Sequence, residues 1–306
     1  MSAPFDVVTG GAGFIGSHLA EALLGRGRRV RVVDNFATGR RENVPAGAEL
    51  VEGDVNDAAG EAFRGAQTVY HLAALPSVPR SVKHPLESHR ATARGTLEAL
   101  MAAERAGVRR LVFASSSSVY GDTPTLPKHE GMPPRPLSPY AAAKLAGELY
   151  AGSWAGRGTL ETVSLRFFNV YGPRQDPDSP YAAVIPIFLR QLLGGKRMTV
   201  HGDGAQTRDF TYVADVVDGV LRAGSAPGVS GRVYNLAGGR PVSVLDMGRT
   251  LARLMGRAAD FEFLPTRAGD IRDSFADVAA ARRDLGFAAA VPLEEGLRRT
   301  LAGRVP

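Results

Sequence analysis

The stretch "VVTGGAGFIGSHLAEALLGRGRRVRVVDN", residues 7–35, decides the fold. A β-branched run enters three glycines, Gly10, Gly13 and Gly16, and an amphipathic stretch leaves them. A strand, a tight glycine turn and a helix in that order put backbone N–H groups and a helix N-terminus where a pyrophosphate would sit. A second strand then ends at Asp34. An acid there accepts hydrogen bonds from an adenosine ribose and repels a 2′-phosphate, so the stretch reads as a site for NAD rather than NADP. Three glycines alone carry little weight; the flanking strand, helix and acid supply it.

The pattern continues outward from this stretch. Residues 48–53, 68–73, 110–115 and 161–167 read as further strands, and helical segments such as 92–107 lie between them. Near-continuous apolar strands alternating with helices imply parallel βαβ units with helices on both faces. The expected fold is α/β: a Rossmann-type doubly wound parallel sheet with a smaller C-terminal α/β substrate domain. After about residue 170 proline and glycine thicken, with helices expected at 181–194 and 213–224. The expected division is 1–170 for the dinucleotide domain, rejoined by 229–257, with 171–228 and 258–306 forming the substrate part.

Composition removes several classes of function. The 306 residues are 44% apolar, enough for a large core. Cysteine is absent, which excludes disulfides and thiolate chemistry. The six histidines show no metal-ligand spacing, so no metal is expected. No apolar run approaches a membrane span, and the N-terminus lacks a signal-like apolar region, so the expectation is a soluble cytoplasmic protein without membrane contact. The net charge is +6, but the arginines are scattered rather than striped, which argues against nucleic acid. Of 37 basic residues only Lys83, Lys128, Lys144 and Lys196 are lysine, so a lysine in this chain is a notable choice.

One of these lysines lies in "SPYAAAKLAGELY", four residues after Tyr140. On a helix that spacing stacks both side chains on one face. A free tyrosine titrates near ~10, too high for a base at neutral pH. A nearby ammonium and a positive nicotinamide ring would lower it. Upstream, the fifth strand ends in four serines, Ser115 to Ser118. In a doubly wound sheet the carboxyl ends of the strands border the ligand crevice, so these hydroxyls are expected to face it. The same rule brings Asp54, Val55, Leu72, Ala73 and Ala74 to the crevice. A core tyrosine and a surface lysine would give the same pair, but not together with the glycine loop and the serine-tipped strand.

These residues resemble the extended short-chain dehydrogenase/reductase family. The resemblance runs through "TGGAGFIGSHL", "HLAA", "SSSSVYG", "YAAAK", "RFFNVYGPRQ", "GDGAQTRDFTYVAD" and "GDIRDSFAD", and within the family it is similar to nucleotide-sugar 4-epimerases. It implies a catalytic group of Ser116, Tyr140 and Lys144. It implies an NAD site formed by Gly10, Gly13, Phe14, Ile15, Gly16, Asp34, Asn35, Gly39, Asp54, Val55, Leu72, Ala73, Ala74, Thr92, Tyr140, Lys144 and Phe168. Thr92 stands where the family usually has Asn, and a threonine can bond a local carbonyl or a water. On the substrate side it implies Ser77, Ser116, Ser117, Asn169, Ala183, Val184, Arg208, Arg267, Asp270 and Ser274, with the two arginines clamping a nucleotide diphosphate. Ser274 matches a position where a bulky tyrosine restricts the pocket, so a serine leaves room for an N-acetyl group. Asp176 stands where glucuronate epimerases carry Arg. Relatives that eliminate water carry an Asp-Glu pair where this chain has Ser117 and Ser118, and decarboxylating relatives carry Glu at the second position.

The resemblance therefore implies a UDP-hexose 4-epimerase acting on UDP-glucose/UDP-galactose and on the N-acetylated pair. It also implies a homodimer through the helices near 91–107 and 140–155, which carry Met101, Leu149, Tyr150 and Trp154. A UDP-glucuronate 4-epimerase or another sugar-nucleotide enzyme of the same scaffold stays open. So does a non-catalytic dinucleotide-sensing protein, which would need the glycine loop but not Ser116, Tyr140 and Lys144 together.

Overall fold

The computed structural model describes residues 5–177, 182–266 and 271–303. The strands of the first half are β1 (Phe5–Thr9), β2 (Arg29–Asp34), β3 (Glu49–Glu52), β4 (Ala66–His71), β5 (Arg110–Ser116) and β6 (Glu161–Phe167). The helices between them are α1 (Phe14–Gly25), α2 (Val55–Ala62), α3 (Val78–Lys83), α4 (Pro85–His89), α5 (Gly95–Arg105) and α6 (Pro139–Arg157). The second half adds β7 (Val170–Tyr171), α7 (Val184–Leu193), β8 (Met198–His201), β9 (Thr207–Arg208), β10 (Thr211–Tyr212), α8 (Val213–Ser225) and β11 (Arg232–Leu236). Then come β12 (Val242–Ser243), α9 (Val244–Leu254), β13 (Phe261–Leu264), β14 (Asp273–Ser274), α10 (Ala279–Leu285) and α11 (Leu293–Ala302).

Seven strands form one sheet in the order β11-β6-β5-β4-β1-β2-β3, with every pairing parallel. The order reverses between β1 and β4, so a crevice opens above their carboxyl ends. Both faces are covered, which is why the strands read as apolar runs: Val7, Val8, Val32, Val69, Leu111 and Val163 are all fully buried. Helices α1 and α8 cover one face, and α2, α5 and α6 cover the other. Arg110, itself buried, donates to the carbonyls of Ala223 and Ala226 and so anchors the end of α8 over β5.

The second half pairs only short strands: β7 with β10, β12 and β14 on either side of β9, and β8 with β13. Helices α7, α9 and α11 pack together beside them. The strand 232–236 joins the edge of the main sheet beside β6. No helix among the described residues is long and apolar enough to cross a membrane.

Candidate active site

The glycine loop is set by sterics. Gly10 has φ +69°, and a Cβ there would lie 2.8 Å from the Ala73 nitrogen. A Cβ on Gly16 would lie 2.1 Å from the Gly10 carbonyl oxygen. Only glycine permits this turn, and the backbone of residues 72–73 closes against it. Gly13 begins α1, and no side chain caps the helix; Phe14, Ile15 and Gly16 form its first turn. Those amide groups are the orphan donors of a helix N-terminus.

Asp34 is 8% exposed beside this loop. Its Oδ2 accepts from the Ala12 amide at 2.9 Å and its Oδ1 from the Phe36 amide at 2.8 Å. Burial pushes its carboxyl above the ordinary range, against the pull of those two amides. Each oxygen keeps a lone pair, and further donors such as ribose hydroxyls would stabilise the charge. Gly39 closes over the loop, where a Cβ would meet Ala12 and Asp34. Asn35 reaches Asp54 at 3.5 Å, and Asp54 caps α2 by accepting from the Asn56 amide. The glycine cradle, the uncapped helix start and the buried acid fit a dinucleotide. The side chains of Val55 and Phe168 are buried in core clusters, so these two residues offer a ligand backbone only.

The reacting groups lie where β5 meets α6. Ser138 caps α6 by accepting from the Ala141 amide, and Pro139 opens its first turn. That start fixes Tyr140 near the helix mouth, with Lys144 and Glu148 following on the same stripe. The Tyr140 phenol adjoins the Ser116 side chain. Lys144 Nζ donates to the Ala114 carbonyl at 2.6 Å and lies 5.9 Å from the Tyr140 ring centroid. Burial pushes Tyr140 up to about 12, and only the Ser116 hydrogen bond opposes it. Burial also pulls Lys144 down to about 7, against the raising influence of the Glu148 carboxylate. The same dry surroundings penalise charge on both groups, so the phenol stands above its free value despite the nearby lysine.

The four serines do not share one direction. Strand residues alternate, so Ser115 points away from the crevice. It is 3% exposed and donates to Glu148 Oε1 at 2.5 Å. Glu148 also takes both arms of Arg166, at 2.9 and 2.7 Å. The Arg166 guanidinium lies over the Tyr120 ring at 4.6 Å, and Tyr120 donates to Asn235 Oδ1. Sequence reading missed this unit. Its signal was available: Glu148 lies one further turn along the Tyr140-Lys144 stripe.

His71 was likewise passed over. It is fully buried, and its partners fix its tautomer. Thr96 Oγ1 donates to the Thr92 carbonyl, so it accepts from His71 Nε2–H at 3.2 Å. Thr9 Oγ1 accepts from the Ala73 amide and donates to His71 Nδ1 at 2.8 Å. The imidazole is neutral and joins the tip of β1, the Ala73 backbone and α5. Thr92 itself is fully buried, and its hydroxyl has no hydrogen-bond partner among the described residues, so it bonds no local carbonyl.

At the substrate end, Asn169 is exposed with φ +28°, a left-handed conformation that a short amide side chain tolerates. Ser274 and Arg208 face each other across β14 and β9. Arg208 donates to the carbonyls of Thr207, Ile271 and Arg272, which draws that segment onto β9. Ala183 and Val184 begin α7. Ser77 accepts from the Arg80 amide and caps α3. Ser117 is half-buried in the turn after β5. Asp176 pairs with Arg40 at 3.2 Å. Arg267 and Asp270 lie outside the described residues.

Residues 7–237 match the model of the NAD dependent epimerase/dehydratase family. The chain belongs to this family. The UDP-glucose 4-epimerase of Mycolicibacterium smegmatis is 40% identical, with 96% of each chain covered. The UDP-N-acetylglucosamine 4-epimerase of Methanobrevibacter ruminantium, solved with UDP-N-acetylmuramic acid, superposes with a TM-score of 0.94 at 35% identity, covering 99% of this chain and 98% of that one. The UDP-glucose 4-epimerase of Thermus thermophilus, solved with NAD, gives a TM-score of 0.90 at 38% identity, covering 97% and 98%. The family is NAD dependent, and the glycine cradle and Asp34 provide for that cofactor. The matched span contains the glycine loop, Ser116, Tyr140 and Lys144. It stops short of Ser274, so the family match does not cover that position.

Proposed function

We propose that the chain is a homodimeric, cytoplasmic UDP-hexose 4-epimerase, interconverting UDP-glucose with UDP-galactose and UDP-N-acetylglucosamine with UDP-N-acetylgalactosamine. The observation that carries the reading is the Ser116-Tyr140-Lys144 group with only hydroxyls, Ser117 and Ser118, beside it. Elimination or decarboxylation needs a carboxyl group there to move a proton, and none stands at those two positions. Bound NAD supplies an acceptor for the hydride at the sugar's C4 and a donor that returns it to the other face.

The residues do the rest. Tyr140 Oη takes the proton of the 4-hydroxyl, assisted by Ser116 behind it. Lys144 in its ammonium form stabilises the phenolate. Once the 4-keto sugar has turned over, Tyr140 gives the proton back, so the reaction has no net redox change. Fixed geometry and a dry, preformed charge environment account for most of the acceleration. Asp176, paired with Arg40, offers no cation of its own to a sugar carboxylate, which favours a neutral hexose over a glucuronate. The dimer reading is supported by exposed apolar residues on adjoining helices: Val82 on α3, Leu86 on α4 and Leu149 on α6 are 63%, 85% and 67% exposed. Met101, Tyr150 and Trp154 are instead half-buried, with Tyr150 and Trp154 against the protein's own core.

Product analysis with UDP-glucose, UDP-N-acetylglucosamine and UDP-glucuronate tests the function. Interconversion at C4 of the first two is expected. Tyr140→Phe should keep bound NAD and lose about 10²–10⁴ of the rate. Failure to epimerise either hexose, release of carbon dioxide, or near-normal turnover by the phenylalanine variant would defeat the reading.

A further inference from the structure

Ser118 has no assigned task, yet it sits behind the catalytic hydroxyl. The Ser118 amide lies 3.2 Å from Ser116 Oγ, and its own Oγ lies 2.9 Å away. On its other side Ser116 adjoins the Tyr140 phenol. A hydroxyl has one proton and two lone pairs. The amide can only donate, so it fills one lone pair. One lone pair and one proton of Ser116 remain, and they face Tyr140 and Ser118.

Only two arrangements satisfy every group. With a neutral phenol, Tyr140 donates to Ser116 and Ser116 donates to Ser118. With a phenolate, Ser118 donates to Ser116 and Ser116 donates to Tyr140. We propose that Ser118 is a positioning residue: its hydroxyl lets the Ser116 proton reverse direction as Tyr140 gains and loses its proton. The inference rests on Tyr140 being the base of the reaction.

The charged surroundings leave this role to the hydroxyls. Lys144 is on the same helix, and its Nζ is bonded to Ala114 rather than to the phenol. His71 on β4 is held neutral, and Arg166 on β6 is paired with Glu148. On α3, α4 and the turn after it, Lys83, His84, Glu87, His89, Arg90 and Arg94 are exposed, and Arg80 is paired with Glu87. On α5, Glu98 is paired with Arg94, and Glu104 is bonded to Trp154.

The test uses NAD-loaded enzyme and UDP-glucose, with Ser118→Ala, Ser118→Thr and Tyr140→Phe. Ser118→Ala should lower kcat about 3- to 10-fold, the worth of one hydrogen bond, with KM within about two-fold. It should also move the acid limb of the kcat–pH profile to higher pH, because the phenolate form loses a charge-assisted chain. Ser118→Thr, which keeps the hydroxyl, should restore both. Unchanged kcat and an unchanged acid limb in Ser118→Ala would overturn the proposal, leaving the serine a turn residue. A raised KM with unchanged kcat would also overturn it, since the hydroxyl would then serve sugar binding. An inactive Tyr140→Phe beside a normal Ser118→Ala sinks this inference alone. An active Tyr140→Phe sinks it together with the assignment of the base.

Discussion

His71 should make the protein acid-labile by an amount that can be worked out. Burial, with a smaller contribution from the Lys144 charge, pulls the imidazole from 6.5 down to about 3. Between those values the unfolded chain binds a proton that the folded protein does not. Stability therefore falls as pH drops through that window, by about 1.4 kcal/mol per pH unit, or roughly 5 kcal/mol across it. That is a large part of the roughly 5–15 kcal/mol typical of a folded domain. His71→Gln is the informative change, because a neutral amide can still accept from Thr9 and donate to Thr96. At pH ~7.5 the variant should be less stable by about 1–3 kcal/mol, since it loses hydrogen-bond geometry and the ring stacked on Phe113. Below about pH 6.5 the gap should shrink by about 1.4 kcal/mol per pH unit and close near pH ~5. Urea unfolding of both proteins from about pH 7.5 to 4.5 measures this, and carboxylates that titrate in both cancel in the difference. A gap that stays constant with pH would mean that His71 takes a proton in the folded protein, and the tautomer argument would be wrong.

Glu148→Gln should cost about 3–5 kcal/mol in urea unfolding, because it strands the Arg166 charge in the interior, whereas Glu148→Met combined with Arg166→Met should cost clearly less. Equal losses would show that the pair is not buried as described. Leu149→Glu should convert the proposed dimer to a monomer in light scattering at micromolar concentration. A dimer that persists would move the interface off the α3–α4–α6 face.

Much of the fold was legible because burial on both faces writes a strand as an unbroken apolar run. The strand at 161–167 has the bounds the sequence suggests, the second strand ends at Asp34 as read, and 48–53 contracts only to 49–52. The helix read at 92–107 is different. Residues 90–94 form a π-helical turn that joins α4 to α5, so the regular helix starts at Gly95. A single wide turn leaves the spacing of apolar residues nearly unchanged and so escapes a periodicity reading. In the second half the strands at 207–208, 211–212, 242–243 and 273–274 have two residues each. Two residues show no alternation, and their pairing comes from tertiary contacts such as Thr207 with Asp273. Within the site, the glycine loop, Ser116, Tyr140 and Lys144 were visible as residue types at fixed spacings. His71 and Arg166 were not, because a lone histidine or arginine in a strand says nothing until its neighbours are known. Ser115 looked like part of the crevice until strand alternation turned it inward.

The charge balance around Tyr140 explains why the site needs more than its lysine. A phenol raised to about 12 costs about 7 kcal/mol to ionise at pH 7. An ammonium 5.9 Å from the ring centroid returns about 3 kcal/mol at an effective dielectric constant of about 20. Lys144 titrates near about 7, so only part of it is ammonium at neutral pH. The value of about 12 already includes the lowering by Ser116. The deficit is therefore about 4 kcal/mol, which one more positive charge at about 4 Å can cover at the same dielectric constant. The cofactor of this family carries such a charge on its oxidised nicotinamide ring. The phenol should therefore stay protonated in protein freed of NAD and ionise near neutral pH only in the loaded enzyme. A difference spectrum on adding NAD to stripped protein at about pH 8 should show tyrosinate in wild type and none in Tyr140→Phe. Tyrosinate present before NAD is added would mean that Lys144 lowers the phenol unaided, and that burial weighs less at this site than the geometry implies.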